Sequence, residues 1–127
     1  MLYKKHFEID EARRLIPKLK NKLIVIRNLS LKLKAVGYDI YKARYRPGFH
    51  PDTTNEFPED YQKLRKLVMD IYSLGIEIKG IEQGLLDFPA MRNGEEVFLC
   101  WKMDESDIEF WHHIDGGYLG RHHIDDF

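Results

Sequence analysis

Apolar positions in the first third of the chain recur every three or four residues, the period of an amphipathic α-helix. They are Ala12, Leu15, Ile16, Leu19, Leu23, Ile26, Leu29, Leu33 and Val36. The pattern predicts one long helix over residues 9–36, ended by Gly37 because glycine readily adopts the left-handed conformation that stops a helix. Pro17 leaves two alternatives: a kink within one helix, or a short turn before a main helix that starts at the proline.

A second helix is predicted from Pro58 to Gly75, with apolar positions at Tyr61, Leu64, Leu67, Val68, Ile71 and Leu74. Two helices joined by the connection 37–57 are expected to form an antiparallel helical hairpin. The first helix is the longer, so it keeps spare apolar surface, and this surplus favours a homodimer formed through the helical hairpin.

The C-terminal part changes to the two-residue period of strands. Asn93-Gly94 between two apolar runs predicts a two-residue hairpin turn, because both turn positions need a positive φ. That turn sets Arg92 opposite Glu95 and Leu86 opposite Trp101. One face then carries the core residues Leu86, Phe88, Ala90, Val97, Leu99 and Trp101. The other, expected to be half covered, carries Asp87, Pro89, Met91, Glu96, Phe98 and Cys100.

Pro89 lacks an N–H group, and in this register its nitrogen points away from the partner strand, which suits an edge strand. Further strands are predicted at residues 76–79 and 108–112. We therefore expect a single α+β domain over residues 1–127. It would comprise an N-terminal antiparallel helical hairpin (9–74) packed on a small C-terminal antiparallel β-sheet with a histidine-rich tail (76–127).

Several motifs occur in a characteristic order: HFEIDEARRLIPKLK near the start, GLLDFPAMRNGEEVFLCW in the middle and FWHHIDGGYLGR towards the end. In this order they resemble the DUF2203 family of uncharacterised prokaryotic proteins. The resemblance covers both ends and the whole C-terminal half, but not the connection 37–57. It implies helices followed by a small sheet that bears the motifs, and it supplies no reaction and no catalytic residues.

Charge is unevenly distributed although the net charge is only −1. Residues 1–50 hold 13 Lys/Arg against 4 Asp/Glu, whereas residues 82–127 hold 3 against 11. Complementarity within the molecule or between subunits is the first interpretation, and nucleic acid is not the expected partner, because its binders usually keep a positive excess. No apolar run reaches the roughly 20 residues of a membrane span, and the single Cys100 excludes an internal disulfide. A cytoplasmic location is expected.

A polar ligand-binding site on the sheet is predicted around Asp87, Trp101, His112 and Arg121. Asp87 lies between apolar neighbours, and a partly buried carboxylate must be paired or its pKa rises. Arg121, which follows two glycines, suits a carboxylate or phosphate. The alternative, and for Asp87 alone the preferred one, is a structural role: a salt bridge, for which Arg121 is a candidate partner, or a cap on the nearby turn 116–121. Cys100 is a poor nucleophile candidate, since it lies opposite Asp87, whose charge disfavours a thiolate.

The C-terminal tail repeats His-His-Ile-Asp, which suggests a site for a divalent transition metal. The candidate ligands are His112, His113, Asp115, His122, His123 and Asp125. Successive strand residues point to opposite faces, so at most one histidine of each pair is expected to converge. An exposed tail without metal is the alternative.

The connection 37–57 interleaves Tyr38, Tyr41, Tyr45 and Phe49 with Lys42, Arg44 and Arg46. Such a pattern is compatible with RNA binding, whereas the alternative is a connection, ordered or partly mobile, whose aromatic residues dock on the helices. A non-enzymatic ligand-binding or protein-interaction module is the favoured function. A metal-dependent protein is the first alternative and an RNA binder the second.

Overall fold

The computed structural model describes residues 1–49 and 58–127. Its first helix, α1, runs from Ile9 to Ala35 and passes through Pro17 without a break, so the alternative of a helix that begins at the proline is wrong. Glu8 and Glu11 form a reciprocal capping box at its start, which satisfies backbone N–H groups that have no partner inside the helix. The second helix, α2, spans Glu59–Ser73. It packs against α1, as was predicted for a helical hairpin.

The connection between the helices contains a small β-hairpin that the sequence did not predict. Strand β1 (Tyr38–Asp39) pairs with β2 (Arg44–Tyr45) in antiparallel fashion. The buried ring of Tyr38 contacts the rings of Tyr45 and Tyr61 at 4.9 and 5.1 Å between centroids. These contacts agree with the expectation that aromatic residues of the connection dock on the helices. The remainder of the predicted connection, residues 50–57, lies outside the described residues.

The C-terminal part forms one antiparallel sheet in the order β3-β4-β5-β6-β7. Its strands are β3 (Glu77–Gly80), β4 (Leu85–Arg92), β5 (Glu95–Lys102), β6 (Phe110–His113) and β7 (His122–His123). The predicted register is confirmed from Arg92 opposite Glu95 to Leu86 opposite Trp101. Asn93 and Gly94 have φ values of 51° and 81°, as the predicted turn requires. The fold class is therefore α+β, as predicted.

Pro89 lies on an internal strand, β4, rather than on the edge strand that its missing N–H suggested. The ladder from β3 reaches only as far as Asp87, so the second half of β4 is locally an edge. There the N–H of Phe7 donates to the carbonyl of Pro89 at 2.7 Å. The proline is thus accommodated because β3 is short and the segment before α1 takes its place.

The two faces of the sheet differ in what covers them. The inner face contributes its predicted apolar residues to one hydrophobic core with both helices, and Leu86, Phe88, Val97, Leu99 and Trp101 are fully buried. The outer face was expected to be half covered, yet Asp87, Phe98, Cys100 and His112 are at most 2% exposed. Polar groups are therefore buried on the side of the sheet that faces away from the helices.

A candidate metal centre on the outer face of the sheet

Three residues with metal-binding side chains meet on three adjacent strands. Asp87 on β4 is paired directly with Cys100 on β5, and His112 on β6 is paired with Phe98, two residues before Cys100. Side chains two residues apart on a strand share a face, so all three point to the outer side. One carboxylate oxygen, the thiol sulfur and one imidazole nitrogen all lie within 4.8 Å of one another. We call Asp87, Cys100 and His112 the outer-face triad.

The imidazole of His112 is held on both sides. Its Nδ1 lies 2.6 Å from the carbonyl oxygen of His113, and its Nε2 lies 3.0 Å from Oδ1 of Asp87. A carbonyl oxygen can only accept, so Nδ1 carries a proton and Nε2 faces the carboxylate. Burial disfavours the imidazolium, but the hydrogen bonds to Asp87 and to the His113 carbonyl outweigh it and raise the pKa of His112 above its usual range. When His112 is protonated, the two form a buried ion pair.

Cys100 is fully buried beside this pair. Burial, followed by the negative charge of Asp87, raises the pKa of its thiol to about 12. At neutral pH the sulfur is therefore protonated and unreactive as a nucleophile, as the position of Cys100 opposite Asp87 suggested. A thiolate would form here only if a cation replaced the proton.

Arg121 does not pair with Asp87, as one interpretation of the sequence proposed. Its Nη1 instead donates to both carboxylate oxygens of Glu105, at 2.8 and 3.0 Å. The guanidinium lies between the rings of Phe110 and Tyr118, 4.0 and 4.1 Å from their centroids. Its charge is close enough to Cys100 to favour the thiolate slightly, but burial and Asp87 dominate.

Trp101 lies on the inner face, so it does not line the outer-face triad. Its Nε1 donates to the backbone carbonyl of Glu105 at 2.9 Å. Trp101 therefore fixes the loop that carries the partner of Arg121. Of the four residues predicted for a sheet site, Asp87 and His112 are in contact, Arg121 lies beside Cys100, and Trp101 acts only through this loop.

The segment before α1 crosses the outer face and forms what we call the N-terminal strap, residues 1–6. The N–H groups of Leu2 and Tyr3 donate to the two carboxylate oxygens of Glu96, at 2.7 and 3.0 Å. Hydrogen bonds from the His6 ring and from the N–H groups of Leu2 and Tyr3 lower the pKa of Glu96 to about 2. The ring of Tyr3 packs edge-on against Phe98, and its hydroxyl donates to Glu77. The strap thus covers the sheet next to the triad.

The predicted metal ligands of the tail do not form a single cluster, although His113 and His122, one from each pair, lie side by side with 5.7 Å between their ring centroids. His113 and His122 lie on the inner face and His112 and His123 on the outer face, because their strand partners do. His113 pairs with Glu95, His123 pairs with Asp125, and Asp115 is exposed. Within residues 1–49 and 58–127, the outer-face triad is the one group of three ligand-type side chains close enough for a shared ion, and His112 is its only member from the tail.

Cys100 was not among the predicted metal ligands, although the predicted register already placed it opposite Asp87. The missing information was the pairing of β5 with β6, which brings His112 next to Asp87 and Cys100 on the outer face. No turn of fixed length joins those two strands, so their register could not be obtained from the sequence.

Comparison with known proteins identifies the family of this chain. No helix within the described ranges combines the length and the apolar character needed to cross a membrane. No curated protein and no solved structure matches the chain. The family model described as "Uncharacterized conserved protein (DUF2203)" matches residues 5–124, nearly the whole chain. The protein therefore belongs to the DUF2203 family.

Proposed function

We propose that this protein binds a divalent transition metal, with Zn²⁺ the best fit, through Asp87, Cys100 and His112. The observation that carries the proposal is the approach of three different ligand atoms to within 4.8 Å of one another in a fully buried setting. This proposal gives a ligand to the binding module that the sequence favoured. It also moves the metal site from the tail to the sheet.

The distances suit a four-coordinate ion after small side-chain adjustments. Zinc binds sulfur at about 2.3 Å and nitrogen or oxygen at about 2.0–2.2 Å, so tetrahedral ligands lie roughly 3.3–3.7 Å apart. Asp87 and His112 are 3.0 Å apart and need to separate slightly, and the sulfur of Cys100 lies within 4.8 Å of both ligand atoms. Side-chain rotations are sufficient for such shifts, since the three residues lie on paired strands whose register stays fixed.

The charges balance equally well with and without the ion. Without it, the negative charge of Asp87 is matched by the imidazolium of His112, and Cys100 is neutral. A divalent cation would replace one proton on His112 Nε2 and one on Cys100 Sγ, which leaves a neutral imidazole, two anions and two positive charges on the metal. The net charge of the buried cluster is zero in both states, so binding leaves no uncompensated charge inside the protein.

The hydrogen bonds around the three proposed ligands also support metal binding. Metal-binding histidines usually donate their other ring N–H to a carbonyl or carboxylate, and His112 donates Nδ1–H to the carbonyl of His113. Arg121 next to Cys100 would repel a cation if its charge were free, but it is paired with Glu105 through two hydrogen bonds. Three protein ligands leave a fourth position for water or a small ligand, the coordination typical of catalytic rather than structural zinc sites.

Metal titration of protein purified without a nickel column tests the proposal. Co²⁺ added to the wild type should give the near-ultraviolet thiolate-to-cobalt absorption band, and elemental analysis after Zn²⁺ loading should give about one ion per chain. Both signals should disappear in Cys100→Ser, a nearly isosteric change that leaves the Asp87–His112 pair in place. The matched control His122→Ala/His123→Ala removes tail histidines outside the triad and should bind like the wild type.

Two results would overturn the proposal. One is metal binding that persists in Cys100→Ser and is lost in the tail control, which would assign the metal to the tail. The other is a folded wild type that takes up neither ion. Binding in weakly buffered solution should also release about two protons at a pH at which His112 is protonated, one from Nε2 and one from the thiol.

A further inference from the structure

The hairpin of β1 and β2, which lies in the connection between the two helices, presents a different kind of surface from the metal site on the sheet. Five Lys/Arg and one Asp lie between residues 32 and 46. Lys32 reaches Asp60 at 4.0 Å, and among the described residues no ion pair is formed by Lys34, Lys42, Arg44 or Arg46. This part of the surface is therefore strongly positive although the chain as a whole has a net charge of −1.

The hairpin is rigid enough to serve as a platform. The Asp39 carboxylate accepts hydrogen bonds from the N–H groups of Tyr41 and Lys42 at 2.9 and 3.1 Å, which closes the turn. The N–H of Arg46 donates to the carbonyl of Gly37 at 2.8 Å, and Tyr38 anchors the base among other tyrosines. The buried side chain of Tyr38 thus fixes the base of the hairpin, while the tip of the hairpin is exposed.

At that tip the ring of Tyr41 is exposed to solvent. Tyr41 is 78% exposed, whereas Tyr38 is 2% exposed and Tyr45 half-buried. Two hollows of about 230 and 360 Å³ flank the hairpin, and both include Asp39 and Arg46 in their walls. Lys34 and Tyr41 line the first of them, and Lys42 and Arg44 line the second.

We propose that this hairpin surface binds single-stranded nucleic acid, with a base stacked on Tyr41 and phosphates held by Lys34, Lys42, Arg44 and Arg46. An exposed aromatic ring surrounded by several cations is the combination that binds single strands without strong sequence preference, because every base has a face that can stack. A duplex buries those faces, so it would lack the stacking contribution. The surface is independent of the metal site.

Fluorescence anisotropy with a labelled single-stranded RNA, and in parallel a single-stranded DNA, tests the proposal at low and moderate salt. Tyr41→Ala should weaken binding about 5- to 100-fold, while Tyr41→Phe, which keeps the ring, should bind like the wild type. Arg44→Gln/Arg46→Gln should reduce the slope of log affinity against log salt by about 1.4, since each phosphate contact to a single strand contributes about 0.7.

Lys18→Gln/Lys20→Gln is the matched control. These exposed lysines precede Lys34 by about four turns of α1, roughly 20 Å along its axis, and should leave binding unchanged. Absence of binding at low salt would overturn the proposal. So would an affinity for heparin or duplex DNA equal to that for single strands, or an unchanged affinity of Tyr41→Ala, because each indicates attraction by charge alone.

Discussion

The two faces of the sheet are both buried, but they are stabilised by different interactions. On the inner face, apolar side chains pack against the helices, and water is excluded because the side chains themselves avoid it. On the outer face, an aspartate, a cysteine and a histidine are buried without a helix to cover them. Their burial is tolerated because charges and protons are matched among them. Inner-face stability should thus depend little on pH, whereas outer-face stability should depend on it strongly.

The largest effect is expected from a truncation on the inner face. Phe88 is fully buried and its ring packs edge-on against that of Phe7 at 5.4 Å between centroids. Phe88→Ala should lower the free energy of unfolding by about 3–5 kcal/mol, through lost burial and a new cavity. Urea denaturation at about pH 6 and about pH 9 should give the same loss. A loss that changed with pH would break the distinction between the faces.

A smaller but pH-dependent effect is expected on the outer face. Asp87→Asn leaves His112 without its counter-charge and should lower the free energy of unfolding by about 2–3 kcal/mol at pH 6. The groups that face His112 from neighbouring strands are Asp87, Cys100 and Lys79.

The direction of this pH dependence follows from the raised pKa of His112 in the folded protein. A raised pKa means that the ion pair stabilises the fold fully below the unfolded value of about 6.5 and ceases to do so as pH rises through the folded value. The difference between wild type and Asp87→Asn should therefore shrink as the pH rises through the folded pKa of His112. A constant difference would show that the carboxylate acts by packing alone.

The smallest effect on global stability is expected at the N-terminal strap. Glu96 has a pKa lowered to about 2, so its bonds to Leu2 and Tyr3 should persist above its usual value of about 4.5 and be lost as pH falls towards 2. In NMR spectra, the amide signals of Leu2 and Tyr3 should move with that titration. Glu96→Gln should shift them at every pH, whereas the neighbouring Glu95→Gln should not.

The parts of the fold that the sequence predicted are those governed by local periodicity. The helices, the Asn93-Gly94 hairpin and its whole register follow from spacing within one or two adjacent elements. The positions of β6 and β7 depend on contacts between strands joined by longer loops, so the meeting of Cys100 with His112 and the partner of Arg121 were missed. The homodimer through the helical hairpin and the cytoplasmic location stay predictions.

The burial of Cys100 also makes its thiol a reporter of local opening of the sheet. It is the only cysteine in the chain, and its thiol, with a pKa of about 12, reacts with alkylating reagents only when the outer face opens. The rate of alkylation under native conditions therefore measures how often β5 loses its cover, without any engineered label. Opening events that leave Cys100 buried would not be registered, so this one sulfur reports selectively on the motions of the outer face.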